Sequence, residues 1–142
     1  MTSRDYLRQA YVIHQKIKAL ERHRADLRAG MYGIRSPSDM NPDVVQSSMS
    51  GDKYEKFIAL IDDTDGKILK EIRRLRRKQY EIGCMISKVE SVSGVILYRR
   101  HVMFETWEEI ADGMGYSARH ITRMYGQALK DFDAIYVLEC PR

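Results

Sequence analysis

Apolar residues recur along the first part of the chain at alternating steps of four and three. Tyr6, Ala10, Ile13, Ile17, Leu20 and Leu27 follow the pattern, and Arg24 is its one polar break. Such spacing puts a single apolar stripe on a helix and predicts a coiled-coil-like helix over about residues 5–29. Gly30 and Gly33 are expected to stop it. About twenty residues then read as a loop, with Pro37, Pro42, several serines and Gly51; loops this long are usually functional or mobile. A second stripe, Ile61, Ile68, Ile72, Leu75, Ile82, Ile86 and Val89, predicts a longer helix over about residues 52–89, interrupted by Asp65 and Gln79. At about 1.5 Å per residue the two helices would span roughly 36 and 55 Å. Packed as an antiparallel hairpin, the shorter one ends near residue 76 of the longer. Ile82, Ile86 and Val89 then need cover from the C-terminal segment or from a second copy, and a dimer or higher oligomer is expected.

The pattern changes after Glu90. A short helix over Val92–His101 should offer Val92, Val95, Ile96 and Tyr98 to a small core. Residues 106–130 then read as helix, tight turn and helix. Thr106 with Glu109 three residues on makes a capping box, and Ser117 can cap the next helix. Ala111 suits a close helix approach, and Gly115 suits the left-handed residue that ends a helix. Ile110, Met114, Ile121 and Met124 face inward, with Trp107 as a core anchor. Ala118, Arg119, His120, Thr122, Arg123 and Gln127 then point outward. Arginine suits guanine, glutamine suits adenine, and methyl-bearing groups suit thymine, as in a helix-turn-helix DNA reader. An ordinary helical hairpin with Ala and Gly placed by chance is the plainer reading. Leu129, Phe132 and Tyr136 could carry the last helix back over the core, with residues 133–142 otherwise a plain tail.

The fold class expected is therefore all-α: a long helical hairpin over residues 1–89, with its loop at about 30–51, followed by a three-helix domain over 90–142. Composition adds restraint. The 142 residues are 31% charged with a formal net charge of +4, compatible with nucleic acid but no demonstration of it. The run Arg73, Arg74, Arg76, Arg77 and Lys78 surrounds Leu75 and offers an auxiliary basic patch or a solvated helix face. The first motif helix is acidic, with Glu108, Glu109 and Asp112, so the positive field must come from elsewhere, including Arg99 and Arg100.

No apolar run approaches the roughly 20 residues that cross a bilayer, and no signal-peptide core follows Met1. Cys84 and Cys140 have neither CxxC spacing nor a histidine cluster beside them and read as reduced thiols. His14, His23, His101 and His120 are scattered away from metal-ligand spacing, with His14 and His23 expected on exposed helix faces. Asp62, Asp63 and Asp65 sit mid-helix without a calcium-loop glycine. Enzymatic activity, metals and cofactors are not expected.

The two motif helices, with Leu97-Tyr98-Arg99-Arg100 before them and Gln127-Ala128-Leu129 in the second, resemble region four of bacterial sigma factors. The match is closer to phage-associated region-four-like proteins, including the ArpU-like phage transcriptional regulators. These are similar along most of the chain: an N-terminal helical hairpin, a loop like Val45-Gln46-Ser47-Ser48, then Trp107-Glu108-Glu109-Ile110-Ala111 and Gly115-Tyr116-Ser117. The resemblance implies a cytoplasmic, nucleoid-associated regulator of phage or prophage genes that binds double-stranded DNA in a bacterial host. It implies base-facing positions at Arg119, His120, Thr122 and Arg123, and a phosphate contact at Ser117; Thr106, Lys130, Arg99 and Arg100 are the further phosphate candidates. No counterpart of sigma region two is present, so a complete sigma factor is not expected. Two other functions stay open: a DNA-packaging recognition protein like a phage small terminase subunit, and an adaptor contacting RNA polymerase rather than DNA.

Overall fold

A computed structural model describes residues 1–32 and 51–140. Five helices make up 87% of them, and no strand occurs among the described residues. In chain order they are α1 (Ser3–Tyr32), α2 (Gly51–Ile86), α3 (Val92–His101), α4 (Trp107–Met114) and α5 (Ala118–Glu139). Most of the expected loop, including Pro37, Pro42 and Val45 to Ser48, lies outside the described residues. No helix among those described is long and apolar enough to cross a membrane.

The chain divides into two compact units, one of residues 15–72 and one of residues 1–14 with 73–142. The expected boundary between 1–89 and 90–142 is thus displaced into the long helices. The physical reason lies at the end of α2. A Cβ on Gly94 of α3 would strike the carbonyl oxygen of Val89, and one on Gly83 would lie 3.4 Å from the Tyr98 ring. The last turns of α2 therefore pack with the C-terminal helices.

In the unit of residues 15–72, contacts pair rising positions on α1 with falling ones on α2. Lys16 Nζ lies 2.6 Å from Glu71 Oε1, and Arg24 Nη1 lies 2.7 Å from Asp65 Oδ1. A Cβ on Gly30 would approach the Phe57 ring at 3.2 Å. The helix segments are antiparallel here. Arg24 and Asp65, the polar breaks of the two apolar stripes, pair with each other. Gly30 does not stop α1, which continues to Tyr32; its missing side chain instead makes room for Phe57. Ile17, Ile61 and Ile68 are buried, as is Thr64, whose hydroxyl donates to the Leu60 carbonyl at 2.7 Å. Asp63, which stood out as one of three nearby acids, pairs with Lys67 at 2.8 Å.

In the other unit the stripe of α1 begins at Leu7, fully buried, rather than at Tyr6, and continues through Ala10 and Ile13. Tyr6 is half-buried beside it, 6.4 Å from Phe132 and 5.3 Å from Tyr136 between ring centroids. Ile82, Ile86 and Val89 are all buried within the chain, so this stripe no longer calls for a second copy. Gln79, the other interruption, donates from Nε2 to the Val102 carbonyl at 2.7 Å. Helix α3 has its expected bounds but turns a different face inward. Gly94, Ile96 and Leu97 are buried, whereas Val92, Val95 and Tyr98 are exposed, because the close approach at Gly94 sets its rotation. Most of the expected tail is helical too: α5 runs to Glu139 and buries Phe132 completely.

Candidate nucleic-acid interface

Helix α4 begins with the capping box read from its sequence. Thr106 Oγ1 accepts from the Glu109 amide at 3.2 Å, and Glu109 Oε2 accepts from the Thr106 amide at 2.7 Å. It ends at Gly115, whose φ of 73° lies in the left-handed region. The amides of Gly115 and Tyr116 both donate to the Ala111 carbonyl, the latter at 3.1 Å, and turn the chain. Ser117 caps α5, accepting from the His120 amide at 3.2 Å. Ile96, Ile110, Ala111 and Ile121 form the core between α3, α4 and α5, with Trp107, Met114 and Met124 packed against it. The Trp107 ring meets Tyr125 edge-on at 4.8 Å.

Arg119, His120, Thr122, Arg123 and Gln127 are all exposed on α5. Arg119, Arg123 and Gln127 share one face at four-residue steps, and the exposed Lys130 stands beside them. Ala118 does not join them: it is half-buried against the core, since it immediately follows the cap. Thr122 turns toward a neighbouring groove, and its hydroxyl donates to the Ala118 carbonyl at 2.8 Å. The His120 ring tilts against Tyr116 at 4.9 Å. Gln127 donates to Asp131 Oδ1 at 2.9 Å, and Ser93 donates to Oδ2 at 2.8 Å. The Ser93 bond first, then the Gln127 bond, hold the Asp131 carboxyl below its ordinary range.

The phosphate candidates fare differently. At Thr106 the Glu109 carboxylate already occupies the helix N-terminus, where a phosphate would be repelled. Ser117 keeps a free lone pair beside its cap bond. Arg99 donates from Nε to Glu105 Oε2 at 2.6 Å and lays its guanidinium against Gly113 of α4. Arg100 donates to the Glu105 carbonyl at 2.8 Å and stacks over the Trp107 ring at 4.4 Å. Both arginines thus hold the α3–α4 connection together, so their charge is partly committed inside the fold. On α2, Arg73, Arg74, Arg76 and Arg77 are exposed, while Lys78 is half-buried and paired with Glu81.

His101 sits behind this connection. Burial first, and then the nearby Arg100 charge, push its imidazole down to about 4, and a bond to the Leu7 backbone opposes the shift only weakly. Its Nε2 lies 3.0 Å from the Tyr125 hydroxyl. The Tyr125 phenol is itself raised by burial. His14, expected on an exposed face, instead stacks on Phe104 at 4.5 Å. No group of three or more His, Cys, Asp or Glu side chains that could hold a metal occurs among the described residues.

Sequence reasoning missed Arg4, Arg8, Tyr11 and Phe104, which line the groove beside α5. Arg4, Arg8 and Tyr11 do share a helix face at steps of four and three, but that face drew no attention because it carries no apolar stripe. No family model, curated protein or solved structure matches the chain.

Proposed function

We propose that this chain is a sequence-specific DNA-binding transcriptional regulator of phage or prophage genes, built as a helical hairpin followed by a three-helix, helix-turn-helix domain. In this reading α5 enters the major groove and presents Arg119, Arg123 and Gln127 to base edges, with His120 at its N-terminal end. The observation that carries it is the α4–turn–α5 geometry. A capped helix, a left-handed Gly115 and a second capped helix close on a shared core, leaving one polar, cation-bearing face of α5 outside. Ser117 and Lys130 supply phosphate contacts on this reading, and host RNA polymerase is a further partner. The test is selection of bound duplexes from random DNA, followed by Arg119→Ala and Arg123→Ala. Each should weaken binding to the selected site by about 1–3 kcal/mol and relax the preference at one position. Equal affinity of both variants for that site would remove α5 as the reading helix.

A second reading rests on the outer face of α4, where Glu108, Glu109 and Asp112 are exposed and would face a DNA backbone unfavourably. An adaptor binding a basic protein surface suits them better. Salt separates the two readings. Direct phosphate contacts make affinity for DNA fall steeply as salt rises, and no duplex binding at low salt would favour the adaptor.

A further inference from the structure

A groove of about 530 Å³ opens beside α5, inside the unit of residues 1–14 and 73–142. Three arginines line it, Arg4 and Arg8 from α1 and Arg100 from α3, and no described lining residue is acidic. Arg4 and Arg8 are exposed, and neither is held in an ion pair among the described residues. The acid next to them, Asp5, is turned to Thr2, accepting from its amide at 3.0 Å and its hydroxyl at 2.8 Å. The Asp5 carboxylate still feels the Arg8 charge, but it is bonded to Thr2 and pairs with neither guanidinium, which leaves both forks at the groove open to a further anion.

Much of the remaining lining is aromatic, with Thr122, Gly126 and Leu129 completing it. Tyr11, Phe104, Trp107 and Tyr125 contribute rings, fixed in two pairs, Tyr11 with Phe104 and Trp107 with Tyr125. Phe104 stacks one face on His14 and meets Tyr11 edge-on at 6.1 Å. Its backbone φ of 58° lies in the left-handed region, an arrangement that surrounding contacts must sustain and that clusters at binding sites. Trp107 is covered on one face by Arg100 and braced edge-on by Tyr125.

Cations and flat rings together select a ligand. Guanidinium forks match phosphate oxygens in pairs, and flat heterocycles stack on aromatic faces whatever their sequence of atoms. The volume falls in the range of small-ligand sites, about 300–1,000 Å³. We propose that this groove is a nucleotide seat, taking a phosphate on Arg4 and Arg8 and a flat heterocycle against the aromatic wall. An acidic peptide would satisfy the arginines but give the rings nothing to stack on. The seat takes a free nucleotide or the 5′-phosphorylated end of a single strand, which share this chemistry. It lies beside the face of α5 that carries Arg119, Arg123 and Gln127, none of which lines it, although Thr122 does.

Trp107 is the only tryptophan of the chain, so its fluorescence reports on the groove. The full chain is titrated with a deoxynucleoside 5′-monophosphate, inorganic phosphate, the parent nucleoside and an acidic peptide. The nucleotide should give a saturable change, with each of the other three binding at least about tenfold more weakly. The Arg4→Ala/Arg8→Ala double variant should lose about tenfold or more in nucleotide affinity while its circular dichroism stays that of the parent. A 5′-phosphorylated oligonucleotide that binds more tightly than the mononucleotide assigns the seat to strand ends; equal binding assigns it to free nucleotide. No saturable change, inorganic phosphate or the peptide binding as tightly as the nucleotide, or an unaffected double variant would each overturn the proposal.

Discussion

The unit of residues 15–72 and the unit of residues 1–14 with 73–142 differ in how they place polar side chains against their cores. In the first, the polar residues that interrupt the two apolar stripes, Arg24 and Asp65, meet as an ion pair at the partly exposed edge, and Lys16 reaches the buried Glu71. The second has ion pairs too, such as Arg99 with Glu105, but near its core polar groups turn to backbone and rings: Gln79 to the Val102 carbonyl, Arg100 to the Glu105 carbonyl and Trp107, His101 to Tyr125. Two paired helix segments make a core that is a line, which tolerates a charge wherever another charge stands opposite. Three helices meeting over Ile96, Ile110 and Ile121 make a core with depth. There a polar group that loses water on folding needs a hydrogen-bond partner or must give up its charge.

His101 offers the largest break of that contrast. Its folded-state value near 4 lies below the ordinary 6.5, so the unfolded chain binds the proton first as pH falls. The stability this neutral ring contributes is complete above about pH 6.5 and is lost progressively as pH falls toward 4. The full shift corresponds to up to about 3 kcal/mol, read as urea unfolding free energy at pH 7 and pH 4. His101→Gln, which cannot take up a proton, should flatten the profile across that window. An NMR titration placing the imidazole midpoint near 6.5 would show that burial does not hold this ring neutral.

Glycine to alanine gives the next largest effect, with opposite signs in the two units. Gly94 meets the Val89 carbonyl, a backbone atom that cannot swing aside, so Gly94→Ala should destabilise by about 1–3 kcal/mol. Gly66 lies mid-helix on α2 with nothing near its Cβ position, so Gly66→Ala should stabilise by about 0.5–1 kcal/mol through helix propensity alone. Thermal unfolding of the two variants checks both signs. The same sign in both would mean that the approach at Gly94 is looser than its geometry requires.

What was legible in the sequence follows the same division. Signals carried within four residues came through: the Thr106–Glu109 box, the left-handed Gly115, the Ser117 cap and the bounds of α3. Stripe positions such as Ile17, Ile68 and Ile82 did too, because periodicity fixes a helix face. Illegible was whatever depends on a neighbour far along the chain. Gly30 reads as a stop until Phe57 is set against it, and Val95 reads as core until Gly94 fixes the rotation of α3. Arg99 and Arg100 read as free cations until Glu105, Gly113 and Trp107 are set against them and partly commit their charge. Leu7 was passed over because Tyr6, one residue earlier, fits the same spacing equally well.

The smallest effect tests whether the paired breaks set the register of α1 against α2. The Arg24 and Asp65 side chains are 29% and 37% exposed, so water screens them and the pair should couple by only about 0.2–1 kcal/mol. A double-mutant cycle with Arg24→Ala and Asp65→Ala measures that coupling directly, and it should shrink in high salt. The more informative variant is the exchange, Arg24→Asp with Asp65→Arg. If opposite charge at this position selects the register, the exchanged chain should regain most of the stability that either single reversal loses, since each reversal sets like charges against each other. If each single reversal costs nothing, the apolar residues flanking the pair, Ile17, Ile61 and Ile68, hold the register without it. The ion pair is then an accommodation of two interrupted stripes, with no part in choosing their alignment.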